Sequence, residues 1–126
     1  MNVTIEVDAS HAIARLEEWI SKIAEAESVI EPHFTSGVEA MVALAQYYCP
    51  KGATGNLATS IHYEGSYPDY VLVADAVNKY GQPYAAYVEY GTSKMMPQPF
   101  MWPAVYGVLP DMKATIMHSV RRFFLA

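Results

Sequence analysis

The spacing of apolar residues changes along this chain, and each change marks a new element. Val3, Ile5 and Val7 alternate with Asn2, Thr4 and Glu6, the two-residue period of a short strand with one buried face. Beyond Ser10 the interval becomes three or four. Ile13, Leu16, Ile20, Ile23 and Ile30, with Trp19 beside them, line one face of an amphipathic helix, and Asp8 or Ser10 is placed to cap its start. Pro32 lacks the donor N–H and crowds the preceding turn, so a kink or a restart is predicted there. A further helical stretch turns Phe34, Val38, Met41, Val42, Ala45 and Tyr48 inward until Pro50 stops it.

The middle of the chain reads as a hairpin. Residues 51–56 (KGATGN) form a loop in which Thr54 caps a turn starting at Gly55. Strands are predicted at about 60–64 and 70–76, separated by the turn residues Gly65, Ser66, Pro68 and Asp69. Residues 78–83 are a loop and 84–90 a short helix, which Gly91 ends by taking φ > 0. Residues 91–98 are extended, and a last helix from Pro99 to about Phe124 is expected to be interrupted near Gly107 and Pro110. The predicted fold is α+β, a single domain over residues 1–126. A long N-terminal helix kinked near Pro32 and a C-terminal helix pack with a small central antiparallel sheet.

Composition adds one point to that picture. The 126 residues are 52% hydrophobic and 17% charged, against roughly 25% charged in an average soluble domain, so some apolar surface is expected to meet partners. No run approaches the ~20 apolar residues of a membrane span, and MNVTIEVD lacks the basic start and apolar core of a secretory signal. Synthesis in the cytoplasm is the expectation. Residues 1–49 carry eight acids and two bases (net −6), and residues 50–126 five acids and six bases (net +1). With Arg121 and Arg122 the only basic cluster, binding that neutralises nucleic-acid phosphates is disfavoured.

No catalytic, cofactor or metal site is predicted. Cys49 is the single cysteine, which rules out an intrachain disulfide, and it reads as a buried helix-end thiol. The 51–56 loop lacks the spacing of a phosphate-binding loop. Ser93 and Lys94 are adjacent, not three apart as in a serine–lysine acylase. His11, His33, His62 and His118 are scattered singly. Glu89, among tyrosines on a short helix, is expected to accept structural hydrogen bonds.

The stretch from Tyr84 to Val105 (YAAYVEYGTSKMMPQPFMWPAV) carries the strongest signal. Prolines bound a loop rich in methionine and aromatic residues, types enriched at interfaces. The predicted interface comprises Tyr84, Tyr87, Glu89, Tyr90, Gly91, Thr92, Lys94, Met95, Met96, Pro97, Pro99, Phe100 and Trp102, with 92–98 read as an arm that orders on a partner.

Two phrases here resemble a known family. One is Pro50 followed by Thr54, Gly55, Leu57, Ser60 and Ile61. The other is Tyr84, Ala85, Val88, Glu89, Tyr90, Gly91 and Thr92, then Pro97, Pro99, Phe100, Pro103 and Ala104. In order and spacing they resemble the neck and tail-completion proteins of long-tailed double-stranded DNA phages. That resemblance implies a non-enzymatic virion protein of a phage or prophage, acting in head–tail joining. It implies a six-fold homo-oligomeric ring between a head-side connector or stopper and the tail terminator or tube. DNA would pass through the lumen unread, and an acidic chain suits such a lumen. The alternative is a small enzyme or ligand-binding domain using the tyrosine-rich region around Tyr84, Tyr87 and Glu89.

Overall fold

The computed structural model describes residues 9–52 and 54–125. The strand expected around Val3, Ile5 and Val7, and Asp8 as a cap, lie outside the described residues. Six elements follow in order: α1 (Ser10–Tyr48), α2 (Asn56–Ser60), β1 (Ile61–Ser66), β2 (Asp69–Ala74), α3 (Ala85–Tyr90) and α4 (Met101–Leu125). The architecture is α+β, with two long helices, a two-stranded antiparallel sheet and two short connecting helices.

Both long helices continue through their prolines. α1 contains Pro32 and α4 contains Pro110 as interior residues, so neither the restart expected at Pro32 nor the interruption expected near Gly107 and Pro110 occurs. An interior proline costs about 3 kcal/mol. Packing of α1 on α4 along both sides of each proline offsets that cost. The helices lie antiparallel: Ser119 pairs with His33 at 3.0 Å, and a methyl group placed on Gly107 would stand 3.0 Å from Leu44 Cδ2. At Gly37 the approach is closer still. A methyl there would sit 2.7 Å from Met112 Cγ, so a larger residue at this level would have to push the Met112 side chain aside.

The sheet is a hairpin with register Ile61↔Ala74 through Ser66↔Asp69. Gly65 and Ser66, expected in the turn, are instead paired with Tyr70 and Asp69, because Tyr67 and Pro68 alone reverse the chain. An aromatic cluster fastens the hairpin to α1: Phe34 lies edge-on to Tyr67 at 5.5 Å and stacked on Tyr70 at 5.9 Å. Thr35 and Tyr70 share a hydroxyl hydrogen bond of 2.7 Å in the same place.

The core is small and built around one ring. Phe100 is fully buried among Ala45, Cys49, Leu57, Ala58, Ile61, Ala76 and Ala104. Cys49 closes α1 as predicted, and its burial raises the thiol pKa above the usual value. Among the described residues no helix is long and apolar enough to cross a membrane.

Candidate functional site: a capped corner and its aromatic face

α3 and α4 meet at a corner whose geometry depends on one carboxylate. A helix start leaves four backbone N–H groups without intrahelical partners, and here they belong to Phe100, Met101, Trp102 and Pro103. Proline has none to satisfy. Glu89 takes the other three: Oε2 accepts from Phe100 N at 2.7 Å and Met101 N at 3.0 Å, and Oε1 from Trp102 N at 3.0 Å. Glu89 is 7% exposed. A negative charge at a helix N-terminus is also favoured by the helix dipole, which is how a carboxylate is kept in this interior with no cationic partner among the described residues.

The loop between the helices is folded back on itself. Gly91 has φ 78°, the left-handed conformation predicted for it, and a methyl there would lie 2.8 Å from the backbone nitrogen of Pro97. Thr92 and Met95 exchange backbone bonds of 2.8 and 3.3 Å, Lys94 N donates to Thr92 Oγ1, and Gln98 N donates to Val88 O at 2.8 Å. The stretch read as an arm is thus tied at both ends to α3. Met96, at 82% exposure, points outward from it.

Aromatic residues cover the outside of the corner. Trp102 donates its indole N–H to Tyr90 Oη at 2.9 Å and stacks on Tyr106, ring centres 5.7 Å apart. All three are exposed, at 48%, 66% and 65% respectively. Behind them an apolar groove of about 480 Å³ runs between β2, α3 and the first turns of α4, lined by Leu72, Ala74, Ala85 and Val105 among others.

Of the predicted interface residues, Tyr87, Tyr90, Thr92, Lys94, Met95, Met96, Pro97, Pro99 and Trp102 are exposed, while Tyr84 and Gly91 are half-buried. Phe100 and Glu89 require correction. Phe100 is wholly inside the core and Glu89 is enclosed and committed to three amides, so both shape the surface from behind and neither side chain is available to a partner. Tyr87 stands in solvent while Glu89 is buried, so the two do not converge on a common pocket mouth.

Tyr106, which the sequence reading passed over, belongs to the aromatic face. Its spacing of four from Trp102 on one helix was the available signal. Elsewhere, His62 pairs with Glu64 at 3.0 Å and with the Ser60 carbonyl at 2.6 Å. Those contacts, the carbonyl first, raise its pKa. Among the described residues no group of three His, Cys, Asp or Glu side chains could hold a metal. Compared with family models, curated proteins and solved structures, the chain finds no match.

Proposed function

We propose that this chain is a structural protein of a tailed phage or prophage virion, acting in head–tail joining and tail completion as one subunit of a ring through which DNA passes. The observation that carries the reading is the aromatic face of Tyr90, Trp102 and Tyr106, preset by the Glu89 cap behind it. Rigid aromatic side chains held in place before binding lose little entropy on association and dominate interface energy. Two of its three residues, Tyr90 and Trp102, lie within the stretches Tyr84–Thr92 and Pro97–Ala104 that resemble the phage neck family.

In this reading the protein is a scaffold without turnover. It contacts itself around a six-fold ring, a head-side connector or stopper on one side, and the tail terminator or tube on the other. The acidic chain, formal net charge −5, lets DNA slide through without sticking. Assembly takes place in the host cytoplasm and ends in the neck of the virion.

Deletion of the gene from a complete phage or inducible prophage tests this directly. Electron microscopy of the lysate should show DNA-filled heads and finished tails that have not joined, restored by the wild-type chain in trans. Infectious particles from the deletion would refute the assignment.

A further inference from the structure

The first turns of α1 carry their apolar side chains in solvent. Ile13, Leu16, Trp19, Ile20 and Ile23 are between 54 and 66% exposed, and their spacing places them on one stripe. α4 runs antiparallel beside α1, but its end, Phe124, reaches only the level of Trp19 and Ile23. Among the described residues Phe124 flanks one end of the stripe at Trp19 and Ile23, and the rest of it is left open.

The two shoulders of the stripe differ in charge. Arg15 and Lys22 are seven residues, about two turns, apart and stand on one shoulder. Glu17 stands on the other. Lys22 also meets Glu18 at 3.6 Å on its own helix, an exposed pair that contributes little. When two such helices lie antiparallel, equivalent shoulders face each other and base meets base. When they lie parallel and level, the basic shoulder of one faces the acidic shoulder of the next, and the stripes close on each other.

We propose that residues 13–23 of α1 are an interface for a second copy of this chain, the two helices packing parallel with Arg15 and Lys22 toward the neighbour's Glu17. Because the contact joins unlike shoulders, each copy keeps one shoulder for a neighbour on either side, and the arrangement repeats around a closed ring. It supplies a subunit contact for the ring proposed above, yet it stands on the exposure and charge of α1 and does not depend on the phage assignment.

Sedimentation velocity and light scattering of the full chain across micromolar concentrations test it. Wild type should self-associate, more weakly as salt rises. Leu16→Glu with Ile20→Glu should give a monomer whose thermal unfolding is unchanged, because neither side chain is in the core. Arg15→Glu with Lys22→Glu, and separately Glu17→Lys, should each weaken association by about tenfold, and mixing the two charge variants should restore it. A wild type that stays monomeric, its stripe covered by residues 1–8 or kept for a different protein, overturns the proposal. So does association that ignores the charge reversals, which is what an antiparallel contact gives. Failure here leaves the deletion phenotype to be judged separately, and a joined-particle result there says nothing for or against this contact.

Discussion

Trp102 is hydrogen-bonded to Tyr90 through its indole N–H, tying the first turn of α4 to the last residue of α3 on the solvent side of the corner. The bond sets the direction of a ring that is otherwise half in water. Trp102→Ala should therefore remove about 2 kcal/mol or more of association energy while leaving a folded, soluble protein, read by complementation of head–tail joining and by calorimetry. Phe100→Ala, two residues earlier, should behave oppositely. Its ring is fully buried, so truncation should lower unfolding free energy by about 3–5 kcal/mol.

Glu89→Ala should be among the most destabilising single changes. Three amides at an enclosed helix start lose their acceptor at once, for a cost of about 2–4 kcal/mol in chemical denaturation. Glu89→Gln keeps the shape and one carbonyl acceptor, and should fall between the two. Equal stability of the alanine variant and wild type would show that water replaces the carboxylate.

Gly91→Ala meets two obstacles together, a φ of 78° and a contact 2.8 Å from the Pro97 nitrogen. The expected loss is about 1–3 kcal/mol, seen as a lower melting temperature. Gly81, also at positive φ but with no heavy atom near an added methyl, serves as the control. Its alanine variant should show the smaller, purely conformational cost.

His62 gives the hairpin a pH dependence of known sign. Its pKa is raised, by the Ser60 carbonyl first and Glu64 second, so folding favours the protonated ring. The stabilisation is complete below the ordinary value of 6.5 and is lost as pH rises through the higher folded value. Melting curves of wild type and His62→Gln should differ most in mild acid and converge in mild alkali. Curves that stay parallel throughout would remove this pair from the stability of the fold.

Much of this was legible in the sequence because the signals were local. Period, proline and glycine placed α1, α3, the hairpin and the left-handed turn at Gly91, and Pro50 marked the end of α1. What escaped was set by tertiary contact. Pro32 and Pro110 read as breaks, but the α1–α4 packing overrode them. Phe100 read as an exposed anchor because it sits between Pro99 and Met101 in an interface-like run. Only the docking of α2, β1 and the end of α1 encloses it. Glu89 was expected to accept hydrogen bonds, yet its partners lie eleven to thirteen residues on, a separation for which no short-range pattern exists.

The borrowed cap makes the start of α4 conditional. The residues immediately before it, Pro97, Gln98, Pro99 and Phe100, include none of the side chains that cap a helix locally, so a peptide of residues 97–125 should fray at its beginning even where its remainder is helical. In the intact chain, the amides of Phe100, Met101 and Trp102, which donate to Glu89, should become protected from hydrogen exchange only when α3 has docked. Exchange at those three positions therefore times the closing of the corner, and with it the moment at which the aromatic face first exists.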